Sequence, residues 1–462
     1  MFAEVPENAR DTPEGTAISG SSAQAAPGCF TGRMIDRDGH IADFSEFLTA
    51  SPSSFHAASE SARRLEVAGF TGLDETQAWP TAPGRYYVRR DGAIIAWHLP
   101  AGADAVTPFR ILGAHTDSPG FTLKPRPTIG SKGWLQAGVE IYGGPLLNSW
   151  LDRELELAGR VIARDGRELL LRTGPFLRIP QLAIHLDRSA NEGLTLDRQK
   201  HTVPVFGIGD ASEVDLLDLL AAEAGLEDAE DIAGYDLVTA DTQEPRRFGL
   251  DEAFLAAGRM DDLSSVHAGL VALLTASAET QTATPHISML AAFDHEELGS
   301  ASRSGASGPF LEDVLNRIGA ALGAGVEERA RALAASWCLS ADAGHSIHPN
   351  YPEKHDPVNQ PVAGGGPLLK INASQRYATD ARGTALWASL CARADIEYQE
   401  FVSNNTVPCG STIGPLTATR LGIATVDVGV PLLSMHSARE LAHVDDLIAL
   451  TRAIGEFFTP TA

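Results

Sequence analysis

Five short segments gather the side chains that could do chemistry. They are Ala114-His115-Thr116-Asp117, Gly258-Arg259-Met260-Asp261-Asp262-Leu263, Phe293-Asp294-His295-Glu296-Glu297-Leu298-Gly299-Ser300, Ser340-Ala341-Asp342-Ala343-Gly344-His345-Ser346-Ile347-His348-Pro349 and Ser434-Met435-His436-Ser437. In extended chain, residues 115 and 117 point to one side, so Asp117 can lie beside the His115 imidazole. A carboxylate there commonly fixes the tautomer of a metal-bound histidine. Read singly, the same pair is also a polar strand end, and Asp262 is also an N-cap for the helix that follows. The run Asp294-His295-Glu296-Glu297 closes an apolar stretch, where four successive ionisable groups are costly unless paired or used. Adjacent glutamates can divide labour, one holding a metal and the other staying free as a general base. Asp342, nearest the end of its apolar run, is a better ligand candidate than His345 or His348, which read as loop residues.

Taken together, the segments supply two His, two Asp and one Glu as ligands, with one Glu to spare. Oxygen and imidazole donors without thiolate suit zinc, manganese or cobalt. A carboxylate shared between two divalent ions suits a hydrolytic two-metal site. Serine hydrolysis is a poorer reading, because no Gly-x-Ser-x-Gly elbow occurs. Ala363-Gly364-Gly365-Gly366-Pro367 lacks the lysine and hydroxyl of a phosphate loop and reads as a flexible turn.

The elements that must position these residues are legible as pattern. After Arg259, helical stretches (262–278, 310–335, 380–394, 444–458) alternate with apolar ones (286–293, 336–340, 396–402, 423–429). That alternation predicts an α/β fold with a mostly parallel, helix-covered sheet, whose ligands gather at the carboxyl ends of strands. Upstream, Phe44, Phe47 and Leu48 share a helical face, and a second amphipathic helix runs to Gly69. Residues 85–90 and 93–99 flank Asp91-Gly92 as a hairpin. A buried-looking strand, 109–114, then runs into His115. Between 122 and 250, short β-like stretches (135–142, 155–163, 167–172) are broken by Gly and Pro, with one acidic helix near 212–224. The expected organisation is a catalytic domain of residues 35–121 and 251–462 interrupted by a β-rich insertion, 122–250. Residues 1–34 are rich in Ala, Gly, Ser, Pro and Glu and read as a disordered leader, or as sequence upstream of a start at Met34.

Composition narrows the partners. The 462 residues are 44% apolar and carry 60 acidic against 36 basic side chains, a formal charge of -24. Such a surplus of acid argues against nucleic acid. No apolar run approaches the roughly 20 residues of a membrane span, and the N-terminus lacks the basic-then-apolar pattern of a secretory signal. Four cysteines without CxxC spacing argue against disulfides and thiolate zinc. The expectation is a cytoplasmic protein with no membrane partner.

In this order, the segments resemble the aspartyl aminopeptidase family of dinuclear zinc metallopeptidases. The likeness runs from about Phe44 to Phe458. Beyond the acidic pair, it rests on Ala50-Ser51-Pro52-Ser53-Ser54-Phe55-His56-Ala57, Gly113-Ala114-His115-Thr116-Asp117-Ser118-Pro119-Gly120, Ile179-Pro180-Gln181-Leu182-Ala183-Ile184-His185-Leu186, His348-Pro349-Asn350-Tyr351, Gln375-Arg376-Tyr377-Ala378, Pro408-Cys409-Gly410-Ser411-Thr412-Ile413-Gly414-Pro415 and Met435-His436-Ser437. The resemblance implies that His115 and Asp342 hold one zinc, that Glu297 and His436 hold the other, and that Asp261 bridges them. Manganese or cobalt could replace zinc. It further implies that Glu296 is the general base for the attacking water and that Asp117 supports His115. Lys370 would meet the acidic side chain of the substrate, and His185, in the apolar, strand-like run 182–186 of the inserted domain, would reach a neighbouring subunit's site. A homo-oligomer is implied, with the insertion serving dimerisation and the dimers assembled into a dodecamer.

The pattern is not complete. Gln181 stands where some relatives carry histidine, Ala373-Ser374 replaces a Ser-Lys pair, and the leader has no counterpart. The expected function is removal of acidic N-terminal residues from peptides. The same chemistry on neutral or apolar N-termini is the alternative. A catalytically dead, metal-stabilised assembly protein is disfavoured, because a structural metal site has no use for Glu296 beside Glu297.

Overall fold

Every residue of the strand Ile287–Phe293 is buried, which only a sheet covered on both faces allows. This strand pairs in parallel with Phe109–His115 and antiparallel with Ala93–Leu99. Phe109–His115 pairs in parallel with Trp337–Ala341, and that strand in turn with Ala424–Gly429. These are the central members of a nine-stranded sheet. Side chains alternate across it. Leu112, Leu290 and Leu339 face helices Arg37–Ala50, Ser54–Val67, Met260–Ala278, Ala381–Ala394 and Val444–Phe458. Ile111, Met289 and Cys338 face Phe310–Ala321, Val326–Ala335 and Ile413–Leu421. The computed structural model describes residues 36–278 and 285–459, so the expected leader, 1–34, lies outside the described residues.

The insertion is β-rich, as expected. Glu168–Arg172, Leu155–Ala163, Ile232–Asp241, Gly120–Ser131, Trp134–Tyr142 and Val205–Ile208 form, in that order, a six-stranded antiparallel sheet. Phe121, Leu157, Val161 and Leu237 form its core together with Leu216 and Leu220 of helix Leu216–Glu223.

A third sheet was not anticipated. Arg246–Phe248, Phe254–Ala257, Glu440–His443, Pro431–Leu433 and Gly344–His345 form five short strands. This sheet draws the chain before Asp261 alongside the chain around His436.

Three local expectations are corrected. The helix read at 310–335 is two, Phe310–Ala321 and Val326–Ala335, because Gly323 takes a left-handed φ of 78° that ends the first. The run 182–186 is a turn rather than a strand; Leu182, Ile184 and Leu186 are 56, 45 and 76% exposed, and among the described residues no strand pairs with them. The glycine turn is not a loose one. Gly364 and Gly366 hold φ of 90° and 95°, and their N–H groups donate to the buried Asp446 carboxylate at 2.7 and 2.8 Å. Among the described residues no helix is long and apolar enough to cross a membrane.

Candidate metal centre

Three adjacent strands deliver chemistry at their carboxyl ends. His115 ends Phe109–His115, Asp342 follows Trp337–Ala341, and Glu296 and Glu297 form the tight turn after Ile287–Phe293. Asp261 enters at the head of helix Met260–Ala278, where its own φ and ψ are not helical. His436 lies in the loop between Pro431–Leu433 and Glu440–His443. Arg259, His295 and His436 all hold left-handed φ of 64–65°. Such conformations cost about 1–3 kcal/mol each and persist where surrounding contacts over-determine them.

Asp261 stands between two imidazoles. Its Oδ1 is 3.4 Å from His115 Nε2 and its Oδ2 is 3.4 Å from His436 Nε2. His436 Nε2 is also 3.3 Å from Glu297 Oε1. Donor atoms of His115, Asp261 and Asp342 converge to within 4.8 Å, as do those of Asp261, Glu297 and His436. Asp261 belongs to both groups. A third group, His115, Glu296 and Glu297, converges as closely, so Glu296 reaches the same space.

The outer nitrogens are committed elsewhere. His115 Nδ1 lies 3.0 Å from the Asp117 carbonyl oxygen, and His436 Nδ1 lies 3.0 Å from that of Gly144. Donation there turns each Nε2 lone pair inward, as a metal ligand requires. The Asp117 carboxylate accepts the Glu296 N–H at 3.0 Å, the Glu297 N–H at 3.2 Å and the Tyr142 hydroxyl at 2.8 Å. One side chain therefore fixes both glutamates and faces His115.

Charge is crowded. Burial, opposed by His115 and reinforced by the Asp342, Glu297 and Asp117 carboxylates, pushes Glu296 up to about 8. Burial works against protonation of His436, yet Asp261 and Glu297 raise it to about 11. Asp261 Oδ1 is buried without a hydrogen-bond partner among the described residues. An orphaned carboxylate oxygen among converging oxygen and imidazole donors, with no thiolate, fits divalent cations of the zinc type.

Lys370 is 2% exposed. Its Nζ donates to the Ala343 carbonyl at 2.7 Å, lies 3.6 Å from Asp342 Oδ1 and sits 5.4 Å from the Tyr377 ring centroid. Tyr377 lines a cleft of about 340 Å³ with His345, His348, Lys354 and Cys409. His185 occupies the exposed turn and has no hydrogen bond or ion pair to this cluster within its own chain, among the described residues.

Several contributors escaped the sequence reading. Glu440 accepts the backbone N–H groups of Asp261 and His436. Its signal was an acid opening the otherwise apolar stretch Leu441-Ala442. Asp262 is fully buried and accepts the His115 N–H at 3.2 Å, so it ties the helix head to the strand that carries His115. Gly429 is required by close approach: a Cβ there would lie 1.8 Å from the Asp342 carbonyl oxygen.

A family model for Aminopeptidase I zinc metalloproteases (M18) matches residues 47–458. The chain belongs to the M18 family. This M18 protein is thereby an aminopeptidase of the zinc metalloprotease type. It is 54% identical over 422 residues to a probable M18 family aminopeptidase 2 of Streptomyces avermitilis, covering 91% of this chain and 97% of the relative. A Pseudomonas aeruginosa protein of the same description is 45% identical over 424 residues, covering 89 and 96%. Among solved structures, the M18 chain matches one from the complex of Ape4 and Nbr1 with a TM-score of 0.87 and 35% identity, over 91% of this chain and 86% of that one. It matches the S. cerevisiae mApe1 dodecamer with a TM-score of 0.80 and 29% identity, over 91 and 96%.

Proposed function

We propose that this M18 aminopeptidase is a two-metal enzyme that prefers acidic N-terminal residues. The observation carrying the two-metal reading is the Asp261 carboxylate, one oxygen 3.4 Å from each histidine. In this reading His115 and Asp342 would hold one zinc and Glu297 and His436 the other, with Asp261 common to both groups. When bound, such ions polarise the scissile carbonyl and acidify the attacking water. Glu296 takes that proton on its carboxylate and passes it to the leaving amine, a step that its buried, carboxylate-rich setting favours by raising its basicity. Asp117 keeps Glu296 and Glu297 in register.

The substrate's acidic side chain would meet Lys370, whose ammonium lies beside Asp342 and beneath Tyr377. In this proposal residues 35–121 and 251–462 form the catalytic domain, and residues 122–250 form the inserted domain. The S. cerevisiae relative is a dodecamer, and we extend a homo-oligomeric state to this chain. Leu182, Ile184 and Leu186 around His185 offer an apolar surface for a second copy, with His185 turned to the partner's site.

One observation favours a neutral preference instead. Lys370 already donates to Ala343 and neighbours Asp342, whereas Lys354 lines the cleft. A kinetic panel of aminoacyl substrates differing only in the N-terminal residue decides between them. The expected result is a higher kcat/KM for Asp and Glu than for Ala and Leu. Lys370→Met should lower the acidic values by about 10- to 100-fold, the 1.5–3 kcal/mol of a charged hydrogen bond, and Lys354→Met should not. Equal losses for all substrates would assign Lys370 to Asp342 alone, and a parent enzyme fastest on Leu would establish the neutral reading.

A further inference from the structure

Glu440 is an acid in an apolar place. It opens the strand Glu440–His443, is 3% exposed, and is followed at once by the core residues Ala442 and Val444. Both carboxylate oxygens are used on backbone. Oε2 accepts the Asp261 N–H at 3.1 Å, and Oε1 accepts the His436 N–H at 3.0 Å. Neither recipient has a regular conformation: Asp261 has φ -84° and ψ 102° at a helix head, and His436 has φ 65°. Without Glu440, a buried amide at Asp261 and a half-buried one at His436, from distant parts of the chain, would each lack this acceptor, and His436 would lose a restraint on its left-handed backbone.

We infer that Glu440 is a positioning residue that sets the spacing of the two metal-holding halves, gripping with one carboxylate the amides of the bridging aspartate and of the histidine opposite it. This inference rests on the reading of Asp261 and His436 as metal ligands. Only a carboxylate serves, because it presents two acceptor oxygens at fixed separation. Glutamine keeps the volume but turns an NH₂ donor toward one of the two N–H groups. Aspartate is one methylene shorter and cannot span both. The grip touches the ligands through main chain alone, so it leaves their side chains free to hold ions while limiting how far apart they drift.

The test uses the purified oligomer loaded with zinc. Zinc per chain is measured by elemental analysis across a chelator series, alongside kcat and KM on one aminoacyl substrate and melting temperatures with and without zinc. Glu440→Gln should release one of its ions at about 10- to 100-fold less chelator than the parent, the usual effect of losing an outer partner of a metal ligand. Its kcat should fall with KM little changed, and added zinc should restore it. Glu440→Asp should behave likewise. The inference is overturned if Glu440→Gln keeps both ions at the parent's chelator midpoint or shows a kcat loss that zinc does not repair. It is also overturned if the variant fails to fold, or if it melts lower by the same amount with and without zinc, since Glu440 would then be structural only. Asp261→Asn, run in parallel, separates the two readings. If Asp261→Asn loses zinc while Glu440→Gln does not, only the role of Glu440 fails; if Asp261→Asn retains full zinc, the dinuclear reading fails instead.

Discussion

Glu296 and Glu297 are neighbours in sequence, yet they are given different tasks by the proposed mechanism. Asp117 makes this feasible by holding both backbone N–H groups with one carboxylate, so the two side chains leave a fixed platform. Glu297 meets His436 at 3.3 Å, and Glu296 is pushed up to about 8 by burial and by the carboxylates around it. The expected outcome for Glu296→Gln is full zinc content by elemental analysis with kcat lowered by about 10²–10⁴, the range of general-base catalysis. Loss of zinc together with activity would make Glu296 a ligand, as its convergence with His115 permits. At this scale the ionisable residues were legible in sequence, because an acid or histidine at the end of an apolar strand is costly without a use. Their supports were less so. Gly144 acts through a carbonyl that every residue carries, Tyr142 is recognisable only once distant segments meet, and Glu440 showed only as an acid before a short apolar stretch.

The central parallel strands could be read because each is a mostly apolar run of five to seven residues, as a strand covered on both faces should be. The five-stranded sheet that brings Asp261 to His436 could not, since its strands hold only two to four residues, shorter than any window in which a period can be measured. The exposed turn around His185 misled for the opposite reason, because an apolar run in sequence does not say whether its cover comes from its own chain. Helices add a pH-dependent element. His40, on Arg37–Ala50, is pushed down to about 3 by burial, with His267 adding to the effect, and burial takes His56 on Ser54–Val67 to about 4. In the unfolded chain both take up a proton near 6.5, whereas in the fold they resist it. Their stabilising contribution is therefore complete above pH 6.5 and is lost as pH falls from 6.5 toward 3–4. The melting temperature should drop across that window. His40→Gln should make the decline shallower, by up to about 1.4 kcal/mol per pH unit in stability. An unchanged slope would show that His40 is protonated in the folded protein.

For the molecule as a whole, the charge of -24 sets a constraint on function. Acidic peptides are repelled at long range, and physiological salt screens that field beyond about 8 Å. A preference for them must therefore arise from contacts inside the cleft. Assembly would set a second constraint, since among the described residues His185 makes no hydrogen bond or ion pair with its own chain's cluster, and the proposed catalytic role would require an interface. Mixing inactive His185→Ala chains with inactive Glu296→Gln chains, under conditions that exchange subunits, should restore activity. The mixed pair unites one chain's intact His185 with the other's intact Glu296. Verified mixed oligomers without activity would confine His185 to structure.

The contacts of Tyr142 and Gly144 give the inserted sheet a stake in the metal centre. Tyr142, the last residue of Trp134–Tyr142, holds Asp117, Gly144 receives His436 Nδ1, and the Leu146 N–H donates to the His436 carbonyl at 2.9 Å. Whatever binds the histidines therefore also favours the ordered form of the insertion, and the two equilibria are linked. Chelation then acts as a selective loosener of one sheet. Amide hydrogen exchange across 134–146 should quicken when zinc is stripped, while helix Val444–Phe458 keeps its protection; equal exchange in both segments, with and without zinc, would mean the sheet does not sense the ions. If the insertion also forms an interface between copies, stripping zinc should loosen that interface along with the sheet.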